Sequence, residues 1–529
     1  MSSLPNRLKH SKLSIETGPL AKSATAPVAA VSSLPHDQLD TFRRDGHALI
    51  DWIADYWTAL QQQPQQQPPR FPVMSAAKPG DIAAALPREI PQAGRPFAEV
   101  FAETHHAIMP GITHWQSPSF FAFFPANTSP PAVLGELFSA GLGVNGMLWA
   151  TSPACTELEQ HVLDQLAGLC GLPKKFMFAS GTGGGVIQGT ASEAAVVVMV
   201  AARKKLADRG ITGKPVVYCS TQAHSSIVKA AVITGIASGP SDTGSIRQIP
   251  VDSARGMYPA RLKEAIEQDL AAGRAPCMVT ATLGTTSSLA FDDVLAIAAI
   301  CRKHNTWLHV DSAMAGAATV CPEFRWMLDG LEHADSYCFN PHKWLLVNFD
   351  CDCLYIADKL AVTSAMSITP EYLKNAASAA GAVVDYRDWQ IPLGRRFRAL
   401  KLHFVLQTYG VSGLRQYIRE HIRLGTVFAE LINSDARFEL VDHSRGMNLI
   451  CFRARPLPLE KPEQTDVRTK FILDSVNAGG RAYLTHTVIP YVVPGDATPR
   501  TVLRMSIGST FTAEKHVRQA WEVICAEFK

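Results

Sequence analysis

The chain has 529 residues, of which 47% are hydrophobic and 18% charged, and its formal net charge is +3 at pH 7. This length is enough for roughly two to four domains, and the composition is typical of a globular protein with a large core. So small a net charge predicts no affinity for nucleic acid or for an anionic membrane surface. The 11 cysteines, an odd number in a long chain, argue against a secreted protein held together by disulfides.

The sequence shows neither a metal-binding pattern nor a membrane-spanning run. Cys351 and Cys353 are the closest cysteine pair, but no second pair or histidine follows at zinc-finger spacing, so we expect no metal site. The most apolar run, Ala194–Ala202, is shorter than the roughly 20 residues of a membrane helix and is typical of a buried helix. Residues 1–36 predict a disordered tail, with a transit peptide as the alternative, and we expect a cytoplasmic location.

The first predicted element is a helix over Leu39–Trp57, because its apolar residues recur near one face. The Gln- and Pro-rich residues 61–69 then predict a loop. Further along, short β-rich runs alternate with helical stretches, and this alternation predicts a parallel α/β sheet. The clearest examples are strands over Pro215–Cys219, Cys277–Thr282 and Trp307–Val310, and a helix over Val294–Cys301.

From Lys401 onward the pattern predicts a smaller α+β domain. Its helices are expected over Leu402–Tyr409, Leu414–Phe428 and Ala513–Phe528, and its strands over Phe438–Val441, Leu449–Arg453 and Val502–Ile507. Residues 360–390 are rich in Ala, Ser and Gly and have little periodicity, which predicts a mobile surface segment. We therefore expect a tail over 1–36, a helical segment over 37–129, a large domain over 130–400 and a small domain over 401–529.

A glycine-rich run, Ser180–Gly185, precedes a helical stretch that begins at about Ser192. Glycine lets the backbone approach a ligand closely, and a helix N-terminus offers N–H groups to an anion, so the run is a candidate phosphate site. An ordinary turn is the alternative interpretation. No Gly-Lys-Ser/Thr follows, so the run is not the phosphate loop of nucleotide-hydrolysing enzymes.

Three single residues are candidates for chemistry. Asp311 directly follows the predicted strand Leu308–Val310, where ligands bind in such sheets, and it is either a turn former or a carboxylate for a protonated pyridine nitrogen. Lys343 lies in an apolar run, and burial lowers the pKa of a lysine, which suits covalent attachment of an aldehyde; a lysine with a buried stem is the alternative. His224 is either a core histidine or a ring that stacks on a planar cofactor.

These motifs together resemble those of the aromatic L-amino acid decarboxylases, which are pyridoxal 5′-phosphate (PLP) enzymes of the aspartate-aminotransferase fold type. The matching stretches are Pro110–Trp115, Ser152–Glu159, Gly183–Glu193, Gln222–Ser226, Leu308–Asp311, Phe339–Asp350 and Asp385–Arg398. The resemblance runs from Leu39 to about Phe528. It implies an α/β fold with an N-terminal helical dimerisation segment, a large parallel-sheet domain that binds PLP and a small C-terminal α+β domain. It also implies a homodimer.

The resemblance implies a role for each matching residue. The residues that would hold the cofactor are Lys343, bound covalently, Asp311 at the pyridine nitrogen, His224 and Ala313 on the two faces of the ring, Thr286 beside it, and Ala191, Ser192 and Asn340 at the phosphate. Tyr372, on the predicted mobile segment, would join Lys343 and His224 as a catalytic residue and return a proton to the substrate Cα. His342 would lie near the substrate carboxylate.

The implied reaction converts tryptophan, phenylalanine, tyrosine, DOPA or 5-hydroxytryptophan into an arylalkylamine and CO₂. The residues implied to line the substrate pocket are Trp115, Phe123, Ala126, Asn145, Met147, His342 and Gly394. Phe123 and Ala126 stand where animal members usually have Tyr and Thr, and the loss of both hydroxyls predicts poor selectivity for phenols and catechols.

The remaining pocket residues bear on the shape of the substrate ring. Asn145 and Met147 would come from the neighbouring subunit, where Asn145 could hydrogen-bond a ring substituent and Met147 adapt to several rings; neutral drift is the alternative. Gly394 matches a position at which plant relatives have Gly with indolic substrates and Ser with phenolic ones.

Two other functions stay open on the same fold. Aromatic acetaldehyde synthases decarboxylate and oxidatively deaminate their substrates, and they commonly have Phe for the loop tyrosine or Asn for the stacking histidine. Inactive regulatory homologues usually lack the lysine or the aspartate. This chain keeps Tyr372, His224, Lys343 and Asp311, which favours the decarboxylase. The apolar run Phe120–Pro125 disfavours a decarboxylase for glutamate, histidine or a sulfinate.

Overall fold

The computed structural model describes residues 39–62, 69–368, 370, 383–492 and 495–528. Tyr372 and the centre of the predicted mobile segment, residues 371–382, lie outside the described residues. The described residues form two units, those within 1–54 and 76–111 and those within 55–75 and 112–529. The domain boundaries expected from the sequence stay a prediction.

Three helices predicted from apolar periodicity lie close to their expected ranges, those over Leu39–Gln61, Val294–His304 and Glu514–Ala526. The described helices are α1 (Leu39–Gln61), α2 (Asp81–Ala85), α3 (Phe97–Ile108), α4 (Pro130–Leu142), α5 (Pro153–Cys170), α6 (Ala191–Asp208), α7 (Ser226–Ile233), α8 (Pro259–Ala271), α9 (Val294–His304), α10 (Pro341–Trp344), α11 (Lys359–Met366), α12 (Ala399–Asn433), α13 (Pro462–Ala478) and α14 (Glu514–Ala526). Within the first unit, Trp52 packs edge-on against Phe101, with ring centroids 5.8 Å apart. Among the described residues, no helix is both long and apolar enough to cross a membrane.

A seven-stranded sheet forms the core of the second unit, in the order β1-β7-β6-β5-β4-β2-β3. Its strands are β1 (Gly184–Gln188), β2 (Pro215–Ser220), β3 (Ile246–Ile249), β4 (Ala275–Thr282), β5 (Trp307–Asp311), β6 (Ser336–Phe339) and β7 (Asp352–Ile356). Only β7 runs antiparallel to its neighbours β1 and β6; the other pairs are parallel. The parallel α/β sheet predicted from the alternating pattern is therefore confirmed.

Helix α6 connects the sheet to the candidate site. Thr190 precedes its first residue and accepts a hydrogen bond from the Glu193 N–H through its hydroxyl, which satisfies one of the free donors of the first turn. The next turns place Ala194–Met199 against the sheet, where all six side chains are buried. The start of α6 is thus fixed both by its cap and by its packing, close to the predicted start at Ser192.

The glycine-rich run has a packing role that the sequence did not reveal. A Cβ atom on Gly183 would lie 1.8 Å from the Lys175 carbonyl oxygen, and one on Gly184 would lie 2.5 Å from the Phe178 ring. Gly184 and Gly185 already belong to β1, so the rest of that strand separates the run from α6. These glycines let the edge of the sheet pack closely, and the chain reaches the helix N-terminus only at Gly189 and Thr190.

A four-stranded antiparallel sheet lies in the C-terminal part, in the order β10-β11-β9-β8. Its strands are β8 (Phe438–Asp442), β9 (Leu449–Ala454), β10 (Thr485–Ile489) and β11 (Arg500–Ser506). Element α12 contains the two helices predicted over 402–409 and 414–428, which meet at a kink at Gly410, where φ is +59° and ψ is 179°. These angles are not helical, and glycine adopts them without the steric cost of a side chain.

Candidate active site

The carboxyl ends of β5 and β6 bring the predicted cofactor residues together. The strands are parallel, with Asp311 paired to Cys338, so Asp311 and Asn340 emerge at the same edge of the sheet. The Asn340 N–H donates to the Ala313 carbonyl at 2.9 Å, and the Lys343 N–H donates to the Asn340 carbonyl at 2.9 Å. Backbone hydrogen bonds therefore hold the segment that carries Lys343 against the loop that follows Asp311.

Lys343 is partly buried and lies in the short helix α10. Its Nζ is 5.4 Å from the centroid of the Phe124 ring. Burial lowers the pKa of Lys343, while the carboxyl groups of Asp311 and Asp352 oppose this effect. Because a lysine amine reacts with an aldehyde only when it has lost its proton, a lowered pKa suits covalent attachment of a cofactor.

Asp311 and His224 complete the charged part of the site. The buried Asp311 accepts a hydrogen bond at Oδ1 from the Ala313 N–H at 3.0 Å, which fixes the orientation of its carboxylate. Partial burial lowers the pKa of His224, the positive charge of Lys343 lowers it further, and Asp311 opposes both. These electrostatic effects place His224 near the other two residues and favour its neutral form.

The tautomer of His224 follows from its contacts with Ser226. The Ser226 N–H donates to His224 Nδ1 at 3.2 Å, and the Ser226 hydroxyl oxygen lies 2.8 Å from the same atom. Because Nδ1 accepts a hydrogen bond, the neutral ring carries its proton on Nε2.

The first turn of α6 supplies the candidate phosphate contacts. Ala191 and Ser192 begin the helix, where backbone N–H groups and the helix dipole favour an anion. Asn340, which precedes Lys343 in the same segment, is buried. Thr286 is half-buried in the turn after β4. An amine for an aldehyde, a carboxylate for a ring nitrogen and a helix N-terminus for a phosphate are the groups that PLP requires, so the residues present fit this cofactor.

The family model "Pyridoxal-dependent decarboxylase conserved domain" matches residues 79–455. The chain belongs to the pyridoxal-dependent decarboxylases. This decarboxylase is 44% identical over 493 residues to a phenylacetaldehyde synthase of Arabidopsis thaliana, covering 92% of the chain and 96% of the relative. It is 43% identical over 496 residues to tyrosine decarboxylase 2 of Narcissus pseudonarcissus, covering 93% and 94%.

The fold of the decarboxylase is also that of solved relatives. A crystal structure of Oryza sativa TDC with PLP and tryptamine superposes with a TM-score of 0.85 at 40% identity, covering 95% of this chain and 99% of that one. The family resemblance, the fold class and the PLP dependence expected from the sequence are therefore confirmed. The enzyme is a carboxy-lyase.

An aromatic wall contains the first group of predicted substrate residues in this decarboxylase. The Trp115 ring stacks on the rings of Phe120 and Phe123, at centroid distances of 4.4 Å and 5.8 Å. The Ala126 carbonyl accepts a hydrogen bond from the Gln116 side chain at 2.6 Å. The next residue, Asn127, donates its N–H to the His342 carbonyl at 2.7 Å, which joins the wall to the helix of Lys343.

Asn145, Met147 and Gly394 form a second group. Asn145 Oδ1 accepts hydrogen bonds from the Met147 N–H at 3.2 Å and the Arg395 N–H at 2.9 Å. A Cβ atom on Gly394 would meet only Asn145 Nδ2, at 3.8 Å. Asn145 and Arg395, which are 250 positions apart, are thus joined by a hydrogen bond, and contact of Asn145 with a substrate ring stays a prediction.

His342 is buried, and both of its ring nitrogens have partners within the protein. The Cys351 N–H donates to Nδ1 at 2.8 Å, and Nε2 lies 3.0 Å from the side-chain amide of Asn340. Burial lowers the pKa of His342 to about 3, so its ring is neutral near pH 7. Contact of this ring with a substrate carboxylate stays a prediction.

Sequence reasoning missed Arg504, a buried residue of β11 beside the aromatic wall. Its guanidinium donates to the Phe123 carbonyl at 3.2 Å and to the Thr485 hydroxyl at 3.0 Å. It also lies 5.4 Å from the centroid of the Phe124 ring, which Lys343 contacts at the same distance. The signal in the sequence was a charged residue inside the apolar strand run Val502–Ile507, and its hydrogen bonds hold Phe123 and Thr485 against β11.

Proposed function

We propose that the enzyme decarboxylates aromatic L-amino acids, with tryptophan, phenylalanine, tyrosine, DOPA and 5-hydroxytryptophan as candidate substrates, to arylalkylamines and CO₂. The observation that carries the proposal is the meeting of Lys343, Asp311 and His224 at one edge of the sheet, in a unit that also holds the aromatic wall of Trp115 and Phe123. The tyrosine decarboxylase relative and the tryptamine in the rice structure support an aromatic substrate.

Each residue of the chain has a defined task in this proposal. When bound, PLP supplies an electron sink for the electron pair released as CO₂ leaves. Asp311 would pair with the ring nitrogen of the cofactor, and His224 would pack against its ring. Trp115 and Phe123 hold the aromatic ring of the substrate and exclude water. Tyr372, outside the described residues, is proposed to return the proton to Cα.

A panel of substrates tests the proposal. Purified enzyme loaded with PLP is assayed for CO₂ release from tryptophan, phenylalanine, tyrosine and DOPA. We expect measurable kcat/KM for all of them, with tryptophan or phenylalanine competing well with DOPA, because Phe123 and Ala126 offer no hydroxyl partner. A preference for DOPA above about 100-fold, which is nearly 3 kcal/mol of transition-state binding, would contradict the proposed breadth.

The variant Gly394→Ser tests the second group of pocket residues. The structure has room for the new side chain, whose hydroxyl would lie beside Asn145 Nδ2. We expect kcat/KM for tyrosine to rise relative to tryptophan, because the hydroxyl adds a polar group near the substrate ring. Gly394→Ala is the matched control, since it adds bulk without a hydroxyl. An equal ratio of kcat/KM for tyrosine to that for tryptophan in the two variants would show that the size of the side chain alone determines the preference.

An aromatic acetaldehyde synthase is the second candidate, favoured by the 44% identity to a phenylacetaldehyde synthase. The chain keeps His224 and Tyr372, the residues that such enzymes commonly replace, and for that reason we prefer the decarboxylase. Hydrogen peroxide and ammonia formed in amounts equal to CO₂ would decide for the synthase. An arylalkylamine formed in that amount would decide for the decarboxylase.

We further propose that the enzyme is a cytoplasmic homodimer, with a small domain that begins at residue 401. Helix α4 supports a dimer, because four of its apolar side chains are 46–50% exposed: Leu134, Leu137, Phe138 and Leu142. A contiguous apolar surface of this kind is typical of a protein interface. Light scattering should give twice the chain mass. Leu137→Glu should lower the measured mass, whereas Val467→Glu should not change it, because Val467 is an exposed residue of α13. A wild-type monomer at micromolar concentration would refute the dimer.

A further inference from the structure

Three polar side chains lie side by side on one face of the large sheet, next to the segment that carries Lys343. Gln188 of β1 pairs directly with Asp352 of β7. The register between β6 and β7 pairs Phe339 with Cys353, and continuing it by one residue places Asn340 opposite Asp352. Asp352 therefore lies between Gln188 and Asn340, and directly paired side chains in antiparallel strands are close enough to hydrogen-bond.

All three side chains are buried and contain acceptor atoms that lack a donor. Gln188, Asp352 and Asn340 are 1%, 0% and 2% exposed. In the described part of the chain, Gln188 Oε1, both carboxyl oxygens of Asp352 and Asn340 Oδ1 have no hydrogen-bond partner. Native proteins rarely leave buried polar atoms unpaired, and here the unpaired atoms are neighbours and are all acceptors. Acceptors cannot hydrogen-bond to one another, so one carboxyl oxygen carries a proton or one amide presents its NH₂ group to the others.

The contacts of His342 determine which way the side-chain amide of Asn340 faces. The Cys351 N–H donates to His342 Nδ1, so the neutral ring carries its proton on Nε2. In the structure, Nε2 lies 3.0 Å from the amide nitrogen of Asn340, which would set one donor against another. Amide oxygen and nitrogen are assigned from their hydrogen bonds. Exchanging them lets Asn340 Oδ1 accept from His342 and turns the NH₂ group toward Asp352.

A proton on Asp352 satisfies the remaining atoms. Gln188 Nε2 already donates to the Trp389 carbonyl at 2.7 Å, so its orientation is fixed and Oε1 needs a donor. A carboxylic acid at Asp352 can accept from Asn340 with one oxygen and donate to Gln188 with the other. Burial raises the pKa of Asp352 well above its usual value; Asp311, Cys351 and Glu193 raise it further, and Lys343 opposes them.

We propose that Asp352 is a positioning residue that carries a proton at neutral pH and joins His342, Asn340 and Gln188 in one hydrogen-bonded chain. The chain fixes Asn340, whose carbonyl accepts the Lys343 N–H, and so it fixes the start of the helix that carries the cofactor lysine. A protonated Asp352 also adds no second negative charge beside Asp311. The consequence for catalysis rests on the proposed function, whereas the protonated carboxyl itself does not.

Infrared spectroscopy of the protein without PLP tests the proton directly. We expect the wild-type spectrum at neutral pH to contain the carbonyl band of a protonated carboxylic acid, which shifts in D₂O and is absent in Asp352→Asn. Asp358→Asn is the matched control, because Asp358 caps α11 through its side chain at an exposed position, and its spectrum should keep the band. A wild-type spectrum identical to that of Asp352→Asn in this region would overturn the proposal.

Two substitutions at Asp352 test the positioning role. In Asp352→Asn the new amide can accept from Asn340 and donate to Gln188, so PLP affinity and the pH midpoint of the visible band of bound PLP should match the wild type. Asp352→Leu leaves both partners unpaired, and we expect PLP affinity to fall about tenfold or more and the melting temperature to fall as well. A shift of the pH midpoint by about one unit in Asp352→Asn would mean that Asp352 is ionised, and would refute the idea.

The outcomes separate this inference from the proposed function. If the infrared band is present but no aromatic amino acid is decarboxylated, the proposed function fails and the chain of hydrogen bonds stands. If aromatic amines are formed but the band is absent, the proposed function stands and the inference fails.

Discussion

A buried ion pair between Glu159 and Arg395 connects helix α5 to the segment that carries Gly394, and Glu159→Gln tests its importance. Glu159 Oε1 accepts a hydrogen bond from the Arg395 guanidinium and another from the Ile187 N–H at 2.7 Å. The two side chains are only 2% and 3% exposed. Arg395 also lies over the Tyr386 ring, 4.6 Å from its centroid.

The expected cost follows from this burial. Removing the charge of one member of a buried ion pair leaves the other charge without compensation, which costs about 3–5 kcal/mol of unfolding free energy. Glutamine keeps an oxygen for the Ile187 N–H, so we expect a loss near the lower value. The matched control is Glu323→Gln, because Glu323 pairs with Arg419 at the surface, where the side chains are 44% and 52% exposed. Loss of such an exposed pair costs about 0–1 kcal/mol.

Urea denaturation monitored by tryptophan fluorescence measures the difference between the two variants. Glu159→Gln should unfold at a clearly lower urea concentration with an unchanged slope, whereas Glu323→Gln should stay close to the wild type. Because the Arg395 N–H donates to Asn145, a displaced Arg395 should also raise KM for aromatic substrates more than it lowers kcat. Equal losses of stability in the two variants would refute the reasoning from burial.

Three further predictions concern acid stability, the cofactor lysine and the glycine-rich run. Burial lowers the pKa of His309 to about 4 from 6.5, so between these pH values the unfolded chain takes up a proton that the folded chain does not. About 3 kcal/mol of unfolding free energy should be lost as the pH falls through this window, and the urea midpoint should fall less in His309→Gln than in the wild type. Lys343→Ala should abolish CO₂ release and the visible band of bound PLP while leaving the melting temperature of the PLP-free protein within a few degrees; a retained band would refute covalent attachment. Gly183→Ala should lower the melting temperature strongly because its Cβ would clash with the Lys175 carbonyl, whereas Gly239→Ala, with no atom within 4 Å, should not.

Local patterns in the sequence predicted several elements of the fold. The β-rich run Cys277–Thr282 lies within β4, and the run Trp307–Val310 lies within β5, because a strand buried on both faces is rich in apolar residues along its whole length. Asp311 follows from the same reasoning, since a carboxylate directly after a buried parallel strand emerges at the edge where ligands bind. The role of Lys343 required the family resemblance, because an apolar neighbourhood alone does not distinguish a reactive lysine from a structural one.

What the sequence did not reveal depends on contacts between distant segments. The glycines at 183 and 184 are required by Lys175 and Phe178, and a glycine run carries no mark of whether a ligand or a neighbouring backbone approaches it. The cluster of Gln188, Asp352 and Asn340 depends on the register of three strands, and register is set by the whole sheet. Neither feature has a local pattern that could have predicted it.

Arg504 and Asp352 show two ways in which a strand accommodates a buried charged residue. Arg504 lies inside β11, Asp352 is the first residue of β7, and both are buried. Burial lowers the pKa of Arg504 to about 10, so its guanidinium is still charged near pH 7 and requires hydrogen-bond acceptors. Its acceptors at the aromatic wall are the Phe123 carbonyl and the Thr485 hydroxyl. Asp352 has no cationic hydrogen-bond partner among the described residues, and a carboxyl group can become neutral by taking up a proton. A buried arginine therefore hydrogen-bonds to the acceptors around it, whereas a buried aspartate without a cation becomes both a donor and an acceptor.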